Sequence, residues 1–214
     1  GNILIKDWYD EVIPFSKTDL ELIMKEPFDQ NVFKKEFGIK SFVGNKKNLD
    51  AKKALVGDAT CNIAGFISGY TGDGAKTVLP GDALVKIDFR LIPKMEPKKQ
   101  ILRLKKHLKL YGFSDVKIKI FHGEAASRTD SSHPFVSQVK DASDKIFGTS
   151  ILNVSNAGTG PMYPFVDILK APCISIGSTY IFSRIHSPNE FARVDLLKKT
   201  TKCMCLIMQN FGKN

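Results

Sequence analysis

The sequence predicts an α+β fold in two parts, an antiparallel sheet backed by a helix followed by an incomplete α/β layer. Three observations predict it. Residues Ala83 to Leu91 alternate, with Leu84, Lys86 and Asp88 on one side and Val85, Ile87 and Phe89 on the other, as in a strand with two distinct faces. Pro97 to Tyr111 places Ile101, Leu104, Leu108 and Tyr111 at helical spacing, the pattern of an amphipathic helix. Beyond Ala126 helical and strand-like segments alternate, which argues for a layered α/β unit. A boundary near Ala126 therefore divides the chain into residues 1–126 and 127–214.

The elements follow in order. Trp8 to about Asp50 is polar, rich in Lys and Phe and punctuated by Pro14, Pro27, Gly38 and Gly44; its only periodic stretch is helix-like, from Thr18 to Met24. Ile63 to Gly69 reads as a strand, Tyr70 to Lys76 as a Gly-rich turn and Ala83 to Leu91 as the second arm of a hairpin. The helix from Pro97 carries Lys98, Lys99, Arg103, Lys105, Lys106 and Lys109 around its remaining surface, giving a basic outer face, and Gly112 stands where a C-cap belongs. Asp115 to His122 alternates again through Val116, Ile118 and Ile120. In the second part the expected order is helix (Pro134 to Phe147), strand (Ile151 to Val154), helix (Tyr163 to Leu169), strand (Cys173 to Ile176) and helix (Asn189 to Phe211). Two short strands do not complete a sheet, so this part reads as the tail of a larger domain.

Composition narrows the function classes. A chain of 214 residues with 43% hydrophobic side chains buries a core without disulfides. No apolar run approaches the roughly 20 residues that span a bilayer. The first residues lack the zones of a signal peptide, and there is no initiator Met, so the sequence reads as cut from something longer. Cys61, Cys173, Cys203 and Cys205 form no C-x-x-C pair; reduced thiols and a cytoplasmic setting are expected. A net charge of +10 attracts anions, but no zinc finger, helix-turn-helix or stacked aromatic platform accompanies it, so nucleic acid is not an expected partner, and the short apolar runs leave no membrane partner expected either.

Several motifs bear on chemistry. Gly69 to Thr77 nearly matches a phosphate-binding loop, but Ala75 is inserted before Lys76, and Val78-Leu79-Pro80 stands where a helix must begin. A loop between strands explains it better. None of His107, His122, His133 and His186 belongs to a two-ligand metal motif. His186, in Ile185-His186-Ser187-Pro188-Asn189-Glu190-Phe191, follows a predicted strand and precedes a helix, where α/β domains place their ligand crevices; it reads as either a ligand or a structural histidine. Asn156-Ala157-Gly158-Thr159-Gly160-Pro161 is either an amide-rich anion site or a plain turn. Arg90, in an apolar strand, is either an ion-pair partner or a fork for a substrate carboxylate. Asn62 opens the first clear strand, where a capping role is the simple account.

In this order the pieces resemble the zinc-dependent aminoacylase and dipeptidase metallopeptidases, the family of carnosinase, carboxypeptidase G, acetylornithine deacetylase and succinyl-diaminopimelate desuccinylase. Thr60-Cys61-Asn62-Ile63-Ala64-Gly65-Phe66, Thr77-Val78-Leu79-Pro80-Gly81-Asp82-Ala83 and Asp88-Phe89-Arg90-Leu91-Ile92-Pro93 look like its lid, or dimerisation, domain. Ser132-His133-Pro134, Gly158-Thr159-Gly160-Pro161 and Ile185-His186-Ser187-Pro188-Asn189-Glu190 look like the C-terminal part of its catalytic domain. The resemblance runs from Ile3 to Phe211, with the carnosinase-like branch most similar.

The resemblance implies a ferredoxin-like α/β sandwich lid over residues 1–126 and an incomplete α/β remnant of the catalytic domain over 127–214. It implies a homodimeric hydrolase of small peptides or N-acyl amino acids that uses two divalent metal ions, usually zinc. His186 is then a metal ligand, Arg90 grips the substrate carboxylate, and Asn62, from a partner's lid, holds the substrate or oxyanion. Gly158, Thr159 and Gly160 contact the substrate's C-terminal carboxylate. The family's His-x-Asp, bridging Asp and Glu-Glu motifs are absent from these 214 residues. No complete catalytic set is therefore expected here, and the chain by itself is expected to bind no metal stably and to be inactive. The competing expectation is a stand-alone binding or regulatory module built around the basic helix.

Overall fold

A computed structural model describes every residue except Ala157, Thr159, Ile181 and Asn214. It combines helices with one small antiparallel sheet, and the chain divides into two compact units. The first contains Gly1–Ile13 and Asp58–Ala126, the second Pro14–Gly57 and Ser127–Asn214.

In the first unit, β1 (Thr60–Ser68) pairs antiparallel with β2 (Ala83–Arg90). The register runs from Thr60 opposite Arg90 to Ser68 opposite Ala83, with an irregularity between Ile63 and Gly65, where the extra residue forms a bulge. The strand ends that carry Ala59 and Phe89 meet a core of Trp8 and Met95, to which Ile3, Ile5, Val12, Leu91 and Ile92 add partly buried surface. The Trp8 and Phe89 ring centroids lie 5.0 Å apart, within the range of favourable aromatic pairing. Helix α4 (Pro97–Leu110) begins with Pro97 in its first turn, where the missing N–H costs nothing. It ends as expected at Gly112, whose φ of 84° suits glycine. Its Arg103 donates two hydrogen bonds to Glu11, at 2.5 and 2.8 Å.

In the second unit, α1 (Lys17–Lys25), α2 (Gln30–Phe37) and α3 (Asn48–Gly57) precede α5 (Pro134–Phe147) and α6 (Val194–Phe211). Helix α1 starts at a capping box, in which Ser16 and Asp19 satisfy each other's backbone N–H groups. Asp29 caps α2 on its own, its carboxylate accepting from the Asn31 and Val32 N–H groups at 2.8 and 3.1 Å. Helices α5 and α6 pack together; Val136, Val139, Ala142 and Ser143 on α5 and Cys203 on α6 are buried, and Ser143 Oγ lies 3.5 Å from Cys203 Sγ. Thr129 Oγ1 both donates to the Cys173 carbonyl (2.8 Å) and accepts from its N–H (2.9 Å).

Four findings differ from the sequence reading. Residues 14–57 group with 127–214 rather than with the first unit, because Asp19 accepts from Ser131 Oγ at 3.0 Å and lies 3.7 Å from Arg128, whose guanidinium stacks on Phe15. The alternating segment 115–122 and the strands expected at 151–154 and 173–176 are not strands in the structure, and the second unit contains no strand among its described residues. Alternation gives a segment two faces, but a strand exists only where a neighbour completes its ladder. The helix expected over 163–169 is one π turn, Pro164–Ile168, and the last helix starts at Val194, not Asn189.

Candidate functional site

On the hairpin, Thr60 faces Arg90 and Asn62 faces Asp88 across the two strands. Directly opposed residues share a face, as do residues two apart on one strand, so Thr60, Asn62, Asp88 and Arg90 project together from one end of the sheet. Arg90 Nε donates to Asp88 Oδ2 at 2.8 Å, and Asn62 Nδ2 donates to Thr60 Oγ1 at 3.1 Å. Asn62, Asp88 and Arg90 are exposed. The arrangement presents a guanidinium and a carboxamide, both hydrogen-bond donors, side by side on a rigid strand pair; a carboxylate or polarised carbonyl is what such donors recognise. Sequence reasoning singled out Asn62 and Arg90 but not Asp88 or Thr60 as their supports. The period of two would have found both.

In the second unit, the segment around His186 is a closed loop. The Phe191 N–H donates to the Ser183 carbonyl at 3.2 Å, closing the loop at its base, and the Ser187 N–H donates to Arg184 O at 2.9 Å. Ser183 is buried and donates through Oγ to Tyr180 O at 2.7 Å. Arg184, His186 and Asn189 all adopt left-handed backbone, with φ of 58°, 62° and 62°. Such conformations are costly for non-glycine residues and persist where the surroundings enforce them, typically at functional positions. The Glu190 carboxylate accepts from the His186 N–H at 3.4 Å. The His186 side chain is exposed at the loop's turn.

The Gly158 N–H donates to Asn156 Oδ1 at 2.7 Å and the Gly160 carbonyl accepts from the Met162 N–H at 2.8 Å. Thr159 lies outside the described residues. The Gly158 amide is thus engaged within its own loop. His133 caps α5 by accepting from the Phe135 N–H through Nδ1 at 3.1 Å, an architectural use of the imidazole.

Among the described residues no three His, Cys, Asp or Glu side chains gather into a metal-binding group. One exposed imidazole, with its nearby carboxylate turned back onto the loop backbone, fits a single ligand and not a whole centre, which takes three or more. No helix among the described residues is long and apolar enough to cross a membrane.

The profile of peptidase family M20/M25/M40 matches residues 16–210. The structure of an M20 family metallo-carboxypeptidase, Sso-CP2 from Sulfolobus solfataricus, superposes with a TM-score of 0.87 and 34% identity over 97% of this chain and 48% of that one. The di-peptidase Dug1p from Saccharomyces cerevisiae superposes at 0.80, with 20% identity over 100% of this chain and 46% of that one. The human Beta-Ala-His dipeptidase is 24% identical over 201 residues, 89% of this chain and 38% of that protein. The chain therefore spans about half of these relatives or less. With the family profile covering nearly its whole length, the chain belongs to peptidase family M20/M25/M40.

Proposed function

We propose that this chain is the substrate-gripping part of a hydrolase that cleaves dipeptides or N-acyl amino acids. The observation that carries the reading is the His186 loop, which lies inside the family-matched range and holds three left-handed non-glycine residues while presenting an exposed imidazole. In this reading His186 is the ligand the chain contributes to a centre of two divalent ions, usually zinc, whose other ligands lie outside these 214 residues. Such ions would supply Lewis acidity to the scissile carbonyl.

The chain's own residues bind and orient. Arg90 grips the substrate carboxylate, with Asp88 holding the guanidinium in place until the substrate arrives. Asn62, projecting beside it, donates to the substrate carbonyl as negative charge develops on its oxygen, across a subunit interface of a homodimer. Gly158, Thr159 and Gly160 line the path of the substrate's C-terminal carboxylate. The first unit then corresponds to a ferredoxin-like lid, and the second to part of the catalytic domain. Four cysteines without a disulfide among the described residues fit a reducing, cytoplasmic setting. The family match disfavours a stand-alone binding module.

The test is hydrolysis of a panel of dipeptides and N-acetyl amino acids, with zinc supplied, by the 214-residue chain and by the longest natural chain that contains it. The longer protein should turn over, and Arg90→Ala should raise its KM by roughly 10-fold or more, as expected for a lost charge-assisted contact. The 214-residue chain should show no turnover. Stoichiometric zinc and turnover in that chain would overturn the reading.

A further inference from the structure

Helix α4 carries a feature that peptide hydrolysis does not use. At about 100° per residue, Lys105, Lys98, Lys109, Lys106 and Lys99 spread over roughly 120° of its surface, with Leu102 at the middle of that sector. All five lysines are exposed, and Leu102 itself is 56% exposed. Leu110 borders the sector, and Phe113 follows just past the C-terminal end of the helix, exposed by 72% and 55%. Lys99 lies near Glu96 and Glu11; Lys98, Lys105, Lys106 and Lys109 have no carboxylate partner among the described residues. The opposite side of the helix is turned to the unit's interior, where Gln100 is buried and Arg103 holds Glu11.

We infer that this face of α4 docks on an anionic phospholipid surface, with the lysines over the headgroups and Leu102, Leu110 and Phe113 entering the boundary of the acyl region. Charge and shape select this occupant. A second copy would set five lysines against five. A helix of 14 residues offers about 20 Å by 10 Å, far below the roughly 800 Å² that each partner contributes to a stable protein interface. A nucleic-acid backbone rewards the lysines but gives nothing to a leucine at the centre of the face. An anionic bilayer rewards both, since basic side chains are drawn to its surface potential and apolar ones to its interior edge. The expectation of no membrane partner rested on span length, which does not bear on a helix lying in the interfacial plane.

The experiment is co-sedimentation of the chain with phosphatidylcholine vesicles, with and without about 30 mol% phosphatidylglycerol, at about 0.1 M salt. Binding should require the anionic lipid and weaken with salt. Lys98→Glu, Lys105→Glu, Lys106→Glu and Lys109→Glu combined should reduce it by more than roughly 100-fold, from about 5-fold per lysine removed. Lys198→Glu with Lys202→Glu, on exposed positions of α6, should leave it unchanged. Leu102→Ser should weaken it several-fold and leave its salt dependence in place. Equal binding to neutral vesicles, equal loss with the α6 pair, or no sedimentation would overturn the proposal. So would a salt-dependent shift with RNA alongside vesicle binding that Leu102→Ser does not alter, which would make the face a nucleic-acid surface.

Discussion

Asp19 shows how one side chain ties distant sequence together. Burial raises its pKa, but hydrogen bonds from Ser16 and Ser131 and the charge of Arg128 outweigh that, and the carboxyl titrates below the ordinary aspartate value. A depressed folded value contributes stability that is present above the unfolded pKa of about 3.9 and is lost as pH falls through the folded one. The urea midpoint should therefore drop on acidification from about pH 4 downward, and Asp19→Asn should flatten that drop. At neutral pH Asp19→Ala should cost about 2 kcal/mol, because it breaks the capping box, leaving the Ser16 N–H without its acceptor, and takes the carboxylate from Arg128 and Ser131; a midpoint equal to that of the parent chain would refute the network's role. Ser16 and Asp19 are legible as a helix start. The partnership of Asp19 with Ser131 is not, since no local pattern links residues 112 apart.

Among the helices, α4 and α5 stand out in sequence because each has proline in its first turn and a clear apolar stripe. Helices α2 and α3 do not. Helix α2 is eight residues long, and its Phe33 and Phe37 both meet Phe182, far along the chain, while Phe33 also meets the nearby Phe42. Helix α3 is defined by Lys52, which is buried and donates to the Ile23 and Glu26 carbonyls at the end of α1 while pairing with the Glu26 carboxylate at 3.5 Å. A cation at a helix C-terminus satisfies carbonyls that have no intrahelical donor. Lys52→Met should cost about 2 kcal/mol, as for a buried charged hydrogen bond that leaves its acceptors unpaired. It should also speed amide exchange in the last turn of α1; unchanged protection there would reject the capping role.

For the chain as a body, the hairpin is the telling region. Ile63, Phe66 and Ile67 on β1 and Leu84, Val85 and Ile87 on β2 are all at least 41% exposed. A two-stranded sheet with apolar side chains open to water on both faces is a surface that seeks cover. Light scattering at tens of micromolar should give twice the 23.8 kDa chain mass, and Phe66→Ser with Ile67→Ser should return the monomer. A monomer throughout would count against self-association and against the dimeric role proposed for Asn62.

The family, the amphipathic and proline-started helices and the hairpin are legible in the amino-acid sequence, because short-range periodicity and short motifs carry them; Arg90, Asn62 and His186 enter through the family resemblance and belong to the proposed site. Only the tertiary structure decided that residues 14–57 join the second unit, that three strand-like segments go without strand partners, and that His186 stands on a left-handed loop closed by Phe191 and Ser183. The physical reason is the same in each case. Periodicity reports which side of a segment is apolar, whereas ladders, buried ion pairs and strained backbone depend on which distant group arrives to complete them.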